Sequence, residues 1–176
     1  MTLEDLSTGE WQALDSAHHM APFTDYAELR QHGARIITHA DGHYIHDSEG
    51  NRILDGMAGL WCVNVGYGRQ ALVEAATRQM NDLPAYDNFF KTSNRPVAEL
   101  SARLASITPD GLSNVFYANS GSEANDTIIR MVRHFWALEG KPEKRVIIGR
   151  DYGYHGSTVM AASMGGMSGM HEQAAH

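Results

Sequence analysis

Four consecutive residues, Ser120-Gly121-Ser122-Glu123, stand between a short apolar run and a long periodic stretch, and their types suit the binding of an oxyanion. The tetrad fits the S-x-x-E capping pattern, with Ser120 as N-cap and Glu123 reaching back. On that reading the backbone N–H groups of Gly121 and Ser122 have no intrahelical acceptor and lie at the positive end of the helix dipole. Gly121 has no side chain, so an oxyanion can come close to the backbone, and Ser120 and Ser122 add hydroxyl donors. This suits a phosphate held by neutral donors. The same tetrad would also serve as a plain helix start.

A second group, Gly153-Tyr154-His155-Gly156, places an aromatic between glycines shortly after the apolar run Val146-Ile147-Ile148. Loops past the carboxyl ends of parallel strands are where α/β proteins bind ligands. Read together, the two groups describe a flat, phosphorylated ligand, with donors for its phosphate and an aromatic face against its ring. Taken alone, Tyr154 reads as an ordinary loop tyrosine.

Other motifs carry less. Gly66-Tyr67-Gly68-Arg69-Gln70-Ala71 matches G-x-G-x-x-A, and Asp87 lies about twenty residues on, as a dinucleotide fold requires. Yet Asp87 follows Pro84-Ala85-Tyr86 rather than an apolar second strand. No Walker phosphate loop is present. His39, His43 and His46 flank a tight turn without the further Cys or acidic ligands of a closed zinc site, so no metal is expected. Met160, Met164, Met167 and Met170 read as core filler or interface.

The elements that must position these groups follow from periodicity. Val115-Phe116-Tyr117 reads as a buried strand, and Ala124, Ile128, Met131, Val132, Phe135 and Leu138 as one apolar face of the helix after Ser122. Val146-Ile147-Ile148-Gly149 then makes a second strand, so 115–148 reads as a parallel βαβ unit. Upstream, helices are expected around 6–14 and over 26–32, the latter closed by Gly33. A three-stranded meander follows over about 35–55, with turns at Asp41-Gly42 and Glu49-Gly50-Asn51. The Gly-rich stretch 55–68 reads as a loop with a short extended core over 62–65. Two helices come next, one lined by Leu72, Val73, Ala76, Met80 and Leu83, the other opened by Pro96. The fold class is α/β, and a sheet that ends as it begins points to a fragment.

With 176 residues, 43% hydrophobic and 20% charged, the composition is that of a soluble globular protein. A formal net charge of −7 without basic clusters argues against nucleic-acid binding. The acidic start MTLEDLSTGEWQALD is no secretory signal, and no apolar stretch reaches the length of a membrane span. Cys62 stands alone, which excludes an intrachain disulfide and fits the cytoplasm.

The segments LDGMAGLWCVNVGYGR, NSGSEANDTIIRMVRHFWA and GYHGST, in this order and spacing, resemble the class III aminotransferases that use pyridoxal 5′-phosphate. The likeness is to their ω-transaminase branch, which includes enzymes pairing putrescine or related amines with pyruvate, and it runs from about Trp11 to Gln173. It implies a fold type I, aspartate-aminotransferase-like transferase, with residues 1–65 opening the small domain and 66–176 the large cofactor domain. It implies that Ser120, Gly121 and Ser122 hold the cofactor phosphate, that Tyr154 stacks on its ring and that His155 lines the site. Trp61 would wall the substrate pocket, and Phe89 would reach the pocket of a second subunit in a homodimer. The implied reaction passes an amino group from an amine donor to a keto acid. The family's cofactor-binding lysine and the aspartate on the ring nitrogen match nothing here, since Lys91, Lys141 and Lys144 lie in loops of other pattern. This chain is therefore expected to be an inactive fragment. The alternative is a non-catalytic short relative that binds a phosphorylated ligand or pairs with a longer homologue. Asp151-Tyr152, where relatives read Trp-Asn, and the final AAH depart from the pattern.

Overall fold

The computed structural model describes residues 6–174 and divides into two compact units between Asp87 and Asn88. The final two residues of the AAH end lie outside the described range.

In the first unit, helix α1 (Thr8–His18) starts at a complete capping box. Glu10 N–H donates to the Ser7 hydroxyl, and Ser7 N–H donates to the Glu10 carboxylate. Helix α2 (Tyr26–His32) has the expected bounds, with Asp25 accepting from the N–H groups of Ala27 and Glu28 and Gly33 closing it at φ +73°. Three antiparallel strands follow in order, β1 (Ile37–Asp41), β2 (Tyr44–Asp47) and β3 (Arg52–Leu54). Asp41 faces Tyr44, so the hairpin turns on Gly42-His43, one residue later than the Asp-Gly signal suggests. Gly42, at φ +56°, supplies the positive φ that such a turn needs first. His39 and His46 are cross-strand partners with rings stacked 4.1 Å apart. Helix α1 is tied to the meander by Thr8 Oγ1, which donates to Ser48 Oγ at 2.8 Å, and by Gln12 Nε2, which donates to the Ala34 carbonyl at 3.0 Å.

The β2–β3 turn is built on Asp47, only 5% exposed. Its carboxylate accepts from Asn51 N–H at 2.9 Å, Asn51 Nδ2 at 3.0 Å and Glu49 N–H at 3.1 Å. The Asn51 amide is the largest influence holding the carboxyl below its usual range. The two backbone donors and Arg35, whose Nε is 3.8 Å away, act the same way against the opposing effect of burial.

After β3 the expected extended core over 62–65 is not formed. Residues Ala58–Trp61 make one helical turn, α3, of left-handed sense, with φ of +49° at Ala58, +58° at Gly59, +62° at Leu60 and +72° at Trp61. The i→i−4 bonds of Trp61 N–H to Met57 and of Cys62 N–H to Ala58 are made in that hand. Each non-glycine residue so placed costs about 1–2 kcal/mol, so the turn persists only because its surroundings impose it. Helix α4 (Gln70–Asp82) completes this unit and stops just before Leu83-Pro84.

Among the described residues the second unit holds four helices, α5 (Arg95–Ala105), α6 (Gly121–Leu138), α7 (Val159–Met164) and α8 (Ser168–Ala174). Asn94 caps α5, with Pro96 in its first turn as expected. The two expected parallel strands are not formed among the described residues. No ladder joins Val115-Phe116-Tyr117 to Val146-Ile147-Ile148, and a parallel strand exists only through a neighbour's hydrogen bonds. Val146 and Ile148 are 85% and 92% exposed, which leaves the second run uncovered. The apolar stripe expected on α6 is also open, with Ile128, Met131, Phe135 and Leu138 exposed. Burial falls on Ile129, Ala161 and Ala162 instead, because the element that α6 meets is α7.

Asp47→Ala should speed hydrogen exchange at Asn51 and Glu49 N–H by about tenfold or more, while the α5 amides stay unchanged. The Asp47 carboxyl is held below its unfolded value. Its stabilisation is therefore complete above the ordinary carboxylate range, near pH 4, and is lost as pH falls through the lowered folded value. Protection at Asn51 measured across acid pH should follow that course in the natural chain and be flat in the variant.

Candidate functional site

The start of α6 is built as its residue types require. Ser120, extended at φ −151°, accepts from Glu123 N–H at 3.2 Å through its hydroxyl. Glu123 reaches back one residue further than a capping box does, and its carboxylate accepts from Asn119 N–H at 2.9 Å. The N–H groups of Gly121 and Ser122 have no protein acceptor among the described residues. A Cβ placed on Gly121 would meet nothing within 4 Å, so the approach to this backbone is open.

The loop carrying Tyr154 and His155 is latched onto the same turn. Ser157 N–H donates to Ser122 Oγ at 3.0 Å, and Asn125 Nδ2 donates to the His155 carbonyl at 2.6 Å. One helical position on, Asp126 Oδ1 accepts from Thr158 Oγ1 at 2.7 Å and from Ala161 N–H at 3.1 Å. Asp126 thus satisfies the first turn of α7, which has no side-chain cap of its own. Ser122, Asn125, Asp126 and Ile129 follow the i, i+3, i+4, i+7 spacing of one helix face, and that face holds the loop. Gly156 makes the fit close. It is buried at φ +131°, and a Cβ there would lie 2.5 Å from Ser122 Oγ and 2.7 Å from Ser122 Cα.

Ser122 and the segment around Tyr154 and His155 are therefore brought together, with Ser120 and Gly121 on the same turn. His155 is half-buried and Tyr154 largely exposed. The departure Asp151-Tyr152 lies in a tight turn in which Gly153 N–H donates to the Arg150 carbonyl and Tyr152 takes φ +61°. Tyr152 N–H donates to the Gly166 carbonyl and Gly166 N–H to the Gly153 carbonyl, so the strand-like pairing before Tyr154 is made with the link between α7 and α8. Phe89 lies in the loop ahead of α5, exposed, with its ring 6.0 Å from that of Phe90. Trp61 belongs to the other unit, on the left-handed turn α3.

Asn125 and Asp126 were not singled out from the sequence, though both stand on the face that Ser122 begins, and that register was the available signal. A groove of about 660 Å³ opens along α6 beside the latch, between Phe116, Tyr117, Asn119, Asp126, Arg130 and Met160. It includes none of Ser120, Gly121, Ser122, Tyr154 or His155.

Asp126→Ala should release the loop from the helix. Hydrogen exchange at Ala161 N–H should rise about tenfold or more while that at Ala124, bonded to the Ser120 carbonyl, stays slow.

Comparison with known proteins gives a consistent picture. Residues 26–176 match the family model for aminotransferase class-III. The chain is 61% identical over 171 residues to a putrescine–pyruvate aminotransferase of Pseudomonas aeruginosa, covering 97% of this chain and 38% of that relative. It is 40% identical over 153 residues to a probable mitochondrial γ-aminobutyrate transaminase 2 of Oryza sativa, covering 86% of this chain and 31% of the relative. Among solved structures it is similar to an (S)-enantioselective ω-transaminase of Thermomicrobium roseum, with TM-score 0.91, 39% identity and coverage of 95% and 37%. It is also similar to the ω-transaminase of Pseudomonas jessenii in complex with PMP, with TM-score 0.88, 40% identity and coverage of 90% and 35%. The chain thus spans about a third of the length of these relatives, from 31% to 38%.

Proposed function

We propose a function from one premise: the chain belongs to the class-III aminotransferases, whose fold its structural neighbours share. It is the amino-terminal part of a pyridoxal 5′-phosphate enzyme that moves an amino group from a diamine or ω-amino donor to a keto acid such as pyruvate. The observation that carries this is the latch of Ser157 N–H on Ser122 Oγ, which joins a phosphate-suited helix start to the Tyr154-His155 loop.

The residues present fit the cofactor. Gly121 and Ser122 offer two N–H groups without protein acceptors, and the space over Gly121 is open. Ser122 Oγ already accepts from Ser157, so its one proton remains to be given to a phosphate oxygen. Tyr154 offers its ring to the face of a heterocycle, and His155, fixed through Asn125, lines the site beside it. When bound, the cofactor supplies an electron sink for the carbon that bears the transferred amine. Trp61 and Phe89 are assigned to the amine pocket, with Phe89 acting toward the second subunit of a cytoplasmic homodimer. By the same likeness residues 1–65 open the small domain and 66–176 the large one.

None of the lysines present serves as the covalent anchor in this reading. Lys144 Nζ sits 3.6 Å and Lys141 Nζ 5.4 Å from the centre of the Trp136 ring, at the far end of α6. Trp136 is roughly 22 Å from Gly121 along the helix, fifteen residues on at about 1.5 Å per residue. Lys91 sits on a loop at φ +75°.

The purified chain mixed with pyridoxal 5′-phosphate, putrescine and pyruvate should form no alanine, and steady alanine formation would overturn the assignment of the lysine outside this segment. In the full-length protein, Gly121→Ala should weaken cofactor affinity about tenfold or more in a spectrophotometric titration, with the melting temperature of the apo form unchanged. The added methyl has room in the protein and would crowd only the phosphate. Unaltered affinity would remove the helix start as the phosphate site.

A further inference from the structure

We propose that Asp55 and Tyr67 are positioning residues for donor choice, because their hydrogen bond locks the left-handed turn α3 and so fixes where Trp61 presents its indole. This rests on the reading of Trp61 as a wall of the amine pocket.

Trp61 cannot hold itself. The residue is 85% exposed and its indole has no hydrogen bond or ring contact among the described residues, so its direction is set by the backbone beneath it. That backbone runs through four successive residues with positive φ, three of which carry side chains. Such a segment relaxes toward right-handed or extended geometry unless something external holds it.

Asp55 does the holding. Its Oδ2 accepts from the Tyr67 hydroxyl at 2.7 Å and from Gly59 N–H at 2.8 Å, while Oδ1 accepts from Met57 N–H at 3.2 Å. One carboxylate therefore grips the entry to the turn, its middle and the residue that closes the loop. The Tyr67 phenol is the leading cause of a lowered Asp55 carboxyl pKa, and Asp55 raises that of Tyr67 in return, as expected of a bond to the ionised carboxylate. Both loop ends are pinned to one hairpin turn: Asp55 N–H donates to the His43 carbonyl at 2.9 Å and Tyr67 N–H to the Gly42 carbonyl at 2.8 Å. The turn has no slack. A Cβ on Gly59 would lie 2.5 Å from Val63 Cγ2 and 3.1 Å from the Tyr67 hydroxyl oxygen. The frame is thus a rigid hairpin, a carboxylate–phenol clasp and a strained turn, with an otherwise unheld indole at its tip.

The test uses the full-length enzyme with pyruvate and two donors, a small diamine and a bulky arylalkylamine. Tyr67→Phe keeps the ring and deletes the clasp. It should shift the ratio of kcat/KM for the bulky and small donors by about tenfold, in the direction of Trp61→Ala, without a matching change in the KM for pyruvate. Asp55→Asn should shift the ratio the same way. In the double variant Tyr67→Phe/Trp61→Ala the clasp deletion should add nothing further, since its effect acts through the indole. If Trp61→Ala leaves the donor ratio unchanged, the pocket reading of Trp61 fails and this inference falls with it. If Trp61→Ala shifts the ratio while Tyr67→Phe does not, or the two effects simply add, the positioning role alone is overturned.

Discussion

The carboxyl-terminal unit depends on side chains of one helix face serving as hydrogen-bond partners for another segment, mostly for its backbone. Ser122, Asn125 and Asp126 accept from or donate to Ser157, His155, Thr158 and Ala161. Helix α7 has six residues, too few to persist on its own propensity, and its first turn is satisfied by Asp126 rather than by a local cap. Ile129, Ala161 and Ala162 are buried just below these bonds, so polar latch and apolar core are consecutive turns of the same contact. Small residues at 161 and 162 let the two helices approach closely enough for the latch to close.

The same economy appears in the other unit on a different scaffold. There a hairpin is the rigid part, and two carboxylates organise what hangs from it: Asp47 folds the β2–β3 turn, and Asp55 folds the loop to Tyr67. In both cases an ionised acceptor gathers several N–H or O–H donors that an irregular backbone leaves unpaired. Loops of this kind are positioned without a thick hydrophobic core beneath them.

The local elements were legible in the residue order because local forces decide them. Tyr26–His32, the meander, α4, α5 and the start of α6 all came from caps, turns and periods read within a few residues. The latch was half legible: Ser122 and the Tyr154 loop stood out by type, whereas Asn125 and Asp126 mattered only through a register with a segment thirty residues on. What could not be read rests on partners rather than on propensity. Val115-Phe116-Tyr117 and Val146-Ile147-Ile148 have strand composition, yet a parallel ladder needs neighbours that these runs do not give each other. The α6 stripe is apolar by period but exposed, for want of anything laid across it. The left-handed turn at Ala58–Trp61 escaped because three of its four residues have no local preference for that conformation.

The latch also sorts neighbouring positions by how much change they can absorb. A Cβ on Gly156 would run into Ser122 and Ala161, and the residue sits at φ +131°, so its place in the chain admits one residue type. Gly121 faces open space, and Tyr154, two residues before Gly156, is 56% exposed. A randomised library over this rim would therefore return a frozen glycine at 156, whereas the backbone at Gly121 would take a side chain without a clash inside the protein.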